Sequence, residues 1–140
     1  MMPSSLRFPY QANSSLGGSA GLPYLPISLT RGGNSVDVTA LVDSGSTLNV
    51  LPYDVGAKLG ADWDRQRIDV TLSGALSSVE ARAILLSATV GGFAPVQLAF
   101  AWTRSTDVPT ILGQVNFFME FDVCFFRSAL AFEIRSKRTP

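Results

Sequence analysis

Histidine is absent from the sequence, and cysteine occurs once, as Cys124. Without histidine a single chain holds neither a Ser-His-Asp nor a Cys-His arrangement, and most transition-metal sites lose their commonest ligand. One cysteine forms no intrachain disulfide and no CxxC redox pair. Charge is scarce as well. Charged residues make up 16% of the chain, and 11 acids balance 11 bases. That balance supplies neither the basic footprint of a nucleic-acid binder nor a polybasic patch for a membrane. No continuous apolar leader precedes the first strand, which argues against a secretory signal and points to the cytoplasm. Any chemistry therefore falls to Asp, Glu, Lys, Ser, Thr or Tyr.

Apolar residues are plentiful: 46% of the 140 residues are hydrophobic, enough for one domain whose core needs no crosslink. Residues 1–21, rich in Ser, Gly, Asn and Pro, read as a flexible tail, 22–134 as the domain, and 135–140 as a frayed, basic end. Residues 83–103 are uncharged and long enough to cross a bilayer. Gly91-Gly92 and Pro95 interrupt them, however, so a hairpin explains the stretch better than a membrane helix.

Turn residues punctuate the domain closely. Residues 22–30 are apolar and broken by Pro23 and Pro26, which suits an edge strand. Arg31-Gly32-Gly33-Asn34 turns the chain, and residues 36–42 run back as a buried strand. Pro52 starts a short helix over 53–59 that Gly60 stops. Residues 68–90 read as a long hairpin with a small-residue tip, and 95–102 as a further strand. A second short helix over 114–120 sets Val115, Phe118 and Met119 inward; residues 123–126 and 129–134 form a last strand pair. Trp63, between Asp62 and Asp64, falls in a surface loop. Short strands, two short helices and no internal repeat predict a mainly β, closed barrel-like domain.

One acid stands apart. In Ala40-Leu41-Val42-Asp43-Ser44-Gly45-Ser46-Thr47, Asp43 ends a buried apolar strand, where a charge is costly unless neighbours compensate. The small residues behind it let backbone approach closely and turn at Gly45. Taken alone, Asp-Ser-Gly also reads as an Asx turn joining two strands. A second apolar run into glycine, Thr110-Ile111-Leu112-Gly113, precedes the second helix.

Leu41 to Ser46 with Leu51-Pro52, a glycine-bearing hairpin, and Ile111-Leu112-Gly113 follow one another in an order that resembles the retropepsin-like (retroviral-type) aspartic proteases, over about residues 22–134. The resemblance implies an acid-protease β-barrel with a flap hairpin, acting on extended peptides as a homodimer. By that likeness Asp43 supplies half of a two-carboxylate pair, Ser44 bonds across the two-fold axis, and Gly45 lies beside the substrate. Ser73, Gly74 and Ala75 correspond to the flap tip; Val50, Val108, Pro109 and Ile111 correspond to residues lining side-chain subsites. No cofactor or metal is implied, nor any nucleic-acid or membrane partner. The chain has one Asp-Ser-Gly, and Asp107, in Thr-Asp-Val-Pro, lacks the motif. The second carboxylate must then come from a second copy. The expected activity is that of an aspartic endopeptidase; a noncatalytic dimerisation or peptide-binding module on the same fold is the alternative.

Two departures from the family pattern bear on the site. The Asp expected four residues after the catalytic one is Thr47, and the Arg expected after Ile-Leu-Gly is Gln114, which suggests a cellular or bacterial branch. Both are neutral, so no charge is stranded, and a Thr-Gln hydrogen bond is expected in place of the ion pair. The flap tip has one glycine beside Leu76, which predicts a stiff flap.

Overall fold

The structure is a computed structural model that describes residues 3–12 and 21–137. Along the described chain run β1 (Leu6–Pro9), β2 (Tyr24–Arg31), β3 (Asn34–Val42), β4 (Asn49–Leu51), α1 (Tyr53–Lys58), β5 (Asp69–Val70), β6 (Ala81–Thr89), β7 (Val96–Thr103), β8 (Ile111–Leu112), α2 (Phe117–Glu120), β9 (Phe121–Phe126) and β10 (Ala131–Ser136).

Gly32 takes φ +58, the left-handed conformation that a two-residue turn requires, and Arg31 pairs with Asn34 across it. This hairpin begins a ring. β3 runs parallel to β8, β8 pairs antiparallel with β4, β4 is parallel to β7, and β7 is antiparallel to β6. β6 returns to β2 through Ser28–Thr89, Leu29–Ala88 and Thr30–Ser87, which closes a six-stranded barrel. β2 is therefore an edge strand over only part of its length. Pro26, which donates no ladder bond, sits where β3 alone adjoins it.

Alternation of side chains puts Leu25, Ile27 and Leu29 of β2 into the barrel, facing Leu86, Leu98, Phe100 and Trp102. α1 lies so close to this core that a Cβ on Gly56 would come within 2.3 Å of the Trp102 ring. Tyr53 stacks on Trp102 at 5.5 Å, and Trp63 meets it edge-on at 5.3 Å. Trp63 is thus buried, contrary to the surface loop its acidic neighbours suggest. Asp62 serves the backbone, capping a single 3-10 turn by accepting from the Asp64 amide, while the Asp64 side chain is exposed. Arg82 covers the ring, its guanidinium 4.6 Å from the centroid, and donates to the Trp63 carbonyl at 2.7 Å.

A second sheet, in the order β1-β10-β9, packs against the barrel. Here the expected flexible tail gives way to structure. Leu6 pairs with Ile134 and Phe8 with Phe132, and the Phe8 ring stacks on Phe132 at 5.5 Å. Residues 1–2 and 13–20 of that expected tail lie outside the described residues, as do 138–140 of the expected frayed end. Lys137, also in that end, is held by Glu120 at 2.9 Å.

α2 starts later than expected and turns another face inward. Phe117 is buried and Phe118, as expected, packs partly against the core, whereas Val115 and Met119 are exposed. The amides of Gln114 and Val115 donate to the Ser46 and Thr47 carbonyls, which holds this segment extended and delays the first helical turn. The uncharged stretch 83–103 is the β6–β7 hairpin, with Gly91 in its turn at φ +49. Among the described residues, no helix is long and apolar enough to cross a membrane.

Candidate active site

Asp43 leaves the barrel where β3 and β8 part, its amide donating to the Leu112 carbonyl at 2.9 Å. The Gly45 amide then donates to Asp43 Oδ1 at 2.9 Å, and the Ser46 amide to the Asp43 carbonyl at 3.1 Å. The Asx turn is therefore real, and it is compatible with a chemical role. It fixes one carboxylate oxygen and leaves Oδ2 without a partner among the described residues. Asp43 is half-buried, and Ser44 and Gly45 are exposed beside it.

The segment after β8 crosses under this loop. Gln114 donates its amide to the Ser46 carbonyl and its side-chain Nε2 to the Ser44 carbonyl, each at 2.9 Å; Val115 donates to the Thr47 carbonyl at 2.8 Å. The expected Thr47–Gln114 side-chain bond is not how the two neutral residues replace the ion pair. Gln114 grips the main chain of the acid loop directly. A Cβ on Gly113 would stand 2.4 Å from the Leu48 carbonyl oxygen and 2.7 Å from that of Ser46. Backbone atoms at such distances cannot yield as a side-chain tip does. Gly113→Ala is expected to cost about 3 kcal/mol or more of stability, read as a lower urea midpoint with unchanged slope. An unshifted midpoint would mean that the two segments separate freely.

A cleft of about 440 Å³ opens beside the acid, between its loop and the segment after β5. Asp43, Gly45, Val50 and Ile111 line it from the barrel side, and Ser73 and Gly74 line it from the facing segment. Ser44 and Ala75 do not line it. Val108 lies in an apolar cluster with Val50, Leu72, Ala81, Ala101 and Ile111, and Pro109 is exposed outside the cleft. Asp107 is exposed and is likewise absent from the lining. Ser46, Leu48, Thr71 and Leu72 also face the cleft, and sequence reasoning missed them; Thr47 and Leu76, noted there beside the acid and the flap tip without a lining role, face it too. Their adjacency to Asp43 and Gly74 was the available signal. Among the described residues, no group of three or more Cys, Asp or Glu side chains is placed to hold a metal.

The facing segment is less of a hairpin than expected. β5 contributes two pairs, Asp69–Arg82 and Val70–Ala81, and residues 74–76 make a single 3-10 turn. Leu72 is tucked under, while Ser73, Gly74 and Ala75 are exposed. With so short a ladder, the segment is expected to open readily rather than to be stiff. Hydrogen exchange of amides 71–78 should run faster than in β6 and β7; equal protection would restore the stiff-flap expectation.

A family model described as aspartyl protease matches residues 27–115, more than half of the chain. No curated protein matches the sequence. Among solved structures, a retropepsin-like aspartic protease from Rickettsia conorii is 16% identical at a TM-score of 0.65, with 94% of this chain and 90% of that one covered. The retroviral protease-like domain of Ddi1 from Leishmania major is 18% identical at a TM-score of 0.54, over 72% of this chain and 79% of that one. EIAV protease, in complex with the inhibitor HBY-793, is 18% identical at 0.53, over 66% and 82%. At these identities the likeness shows the fold, which is retropepsin-like.

Proposed function

This chain belongs to the aspartyl protease family, and on that footing we propose that it hydrolyses extended peptides as a homodimer, with Asp43 of each copy forming a two-carboxylate pair. The observation that carries this reading is the presentation of Asp43: one oxygen tied to the Gly45 amide and, among the described residues, the other without a partner, beside a cleft that no other described acid lines. Two carboxylates about 3 Å apart share one proton. The ionised member takes a proton from a water whose oxygen bonds to the scissile carbonyl carbon. The protonated member gives its proton to the carbonyl oxygen. Collapse of the tetrahedral adduct breaks the C–N bond, and the amine leaves with a proton returned by the pair. Turnover is favoured on the acid side, where the pair retains its shared proton.

The other residues take roles around that step. Ser44, exposed next to the acid, would face its counterpart in the second copy. Gly45, without a side chain, admits substrate backbone, and Ser73, Gly74 and Ala75 cover it from the facing segment. Val50 and Ile111 offer an apolar wall to the side chains flanking the cleaved bond; Val108 supports them, and Pro109 extends the same segment.

The edge of the smaller sheet supports a position for the second copy. Among the described residues, β9 of the sheet β1-β10-β9 is paired on one side only. β1, at the opposite edge, ends in Pro9, which supplies no amide hydrogen to a further strand. β9 has neither proline nor lysine, and it exposes Phe125 (39%) and Phe126 (37%). Phe125 also lines a hollow of about 310 Å³ that contains Asp43 and Ser44. Pairing β9 with β9 of a second copy therefore brings the two acid loops to the same side. Exposing a mixture of peptides to the protein at acid pH tests the function. Cleavage that disappears with Asp43→Asn supports it; peptide binding without cleavage supports a noncatalytic module.

A further inference from the structure

Asn49 is a polar residue with no solvent exposure in an otherwise apolar strand, and the proposed reaction gives it no task. Its side chain is fully engaged. Oδ1 accepts from the Gly113 amide at 2.8 Å, and Nδ2 donates to the Ala99 carbonyl at 2.9 Å and to Asn116 Oδ1 at 3.2 Å. The orientation of the amide is not arbitrary. A backbone N–H only donates and a carbonyl only accepts, so Gly113 and Ala99 together fix which end is oxygen. Asn116 is fixed in the same way, its Oδ1 accepting from the Ala99 amide at 2.9 Å and its Nδ2 donating to the Gln97 carbonyl at 3.0 Å.

The pair fills two gaps in the main-chain bonding. Along the crossing segment, the amides of Gln114 and Val115 find carbonyls of the acid loop, whereas that of Gly113 finds the Asn49 side chain. On β7, pairing with β4 begins at Phe100, and Asn116 binds the Gln97 and Ala99 main chain before that point. We infer that Asn49, braced by Asn116, is a positioning residue: it anchors the Gly113 crossing to β7 and so sets the height and direction at which the acid loop presents Asp43. The inference rests on the proposed hydrolytic role of Asp43 for its kinetic consequence, though not for its structural one. A displaced reacting group of about 1 Å can cost about a hundredfold in rate. The apolar wall of the cleft, which governs substrate binding, stays in place.

Asn49→Leu, close in shape, removes the acceptor for Gly113 and both donors. In the folded dimer, kcat is expected to fall about a hundredfold while KM stays within about threefold. The Gly113 amide should exchange with solvent faster than in the unsubstituted protein. Should Asn49→Leu fail to fold, Asn116→Leu gives the reading: it keeps the Asn49 bonds to Gly113 and Ala99 but removes the brace from Asn116, and kcat should fall by about tenfold. Unchanged kcat in either folded variant overturns the inference. So does a loss that appears equally in KM and tracks the drop in thermal stability, which marks a merely structural role. If the unsubstituted protein cleaves no peptide, the hydrolytic reading fails on its own. Exchange at Gly113 then still decides whether Asn49 holds the crossing: faster exchange in Asn49→Leu upholds that hold, and unchanged exchange overturns it.

Discussion

Asp43→Asn is expected to lower the rate of peptide cleavage by at least about a thousandfold, equivalent to about 4 kcal/mol of barrier. The carboxamide keeps the oxygen that the Gly45 amide binds, so the loop and the dimer should persist. What disappears is the capacity to take a proton from water and hand one to the carbonyl. Mixing the variant with the unsubstituted chain gives a sharper result. If one acid pair is shared by two copies, an equal mixture at exchange equilibrium retains roughly one quarter of the activity, because only dimers with both acids work. If each copy works alone, one half remains. A value near one half would remove the shared pair even if Asp43 proved essential.

The second large effect is expected at the free edge of β9. Phe125→Lys places a charge where two such strands would meet, the device by which natural sheets prevent edge pairing. Dimer dissociation should rise at least about a hundredfold, near 3 kcal/mol. Phe125 is partly exposed in the single chain, so the monomer should keep its thermal stability. Cleavage per molecule should then become steeply dependent on protein concentration, as sedimentation and dilution assays would register. A fully dimeric Phe125→Lys protein would send the search for the interface elsewhere.

Much of the fold is legible in the sequence alone, and the reasons differ by element. Asp43 was visible because few residue types other than Asp, Ser and Gly combine an acid with backbone that can turn behind a buried strand. Gly113 was visible as an apolar run ending in the one residue that tolerates carbonyls within 2.7 Å of its missing Cβ. β1 was hidden: its composition resembles a tail, and its partner β10 lies at the other end of the sequence, beyond the reach of local pattern. The face of α2 was misjudged because tertiary bonds from Gln114 and Val115 overrode helical periodicity. Trp63 looked exposed because its neighbours are acidic, although those acids bond to backbone or point outward while the ring turns in. Asn49 carried no local signal at all. Its four polar engagements, counting its own amide to the Val115 carbonyl, join it to residues far along the chain.

The closure of the barrel by three residue pairs between β2 and β6 contrasts with the eight pairs between β6 and β7. Residues 28–30 of that closure pair across β2 and β3 with 35–37, so it sits at the far end of β3 from Asp43, roughly 20 Å away along the strand. β8 is held by still fewer, two pairs to β3 and one to β4, so breathing of the ring should begin there rather than at the β2–β6 closure. The thinnest stitches thus lie at the reactive mouth itself, where the main-chain amides of Gly113, Gln114 and Val115 donate to the neighbouring segment and reinforce them.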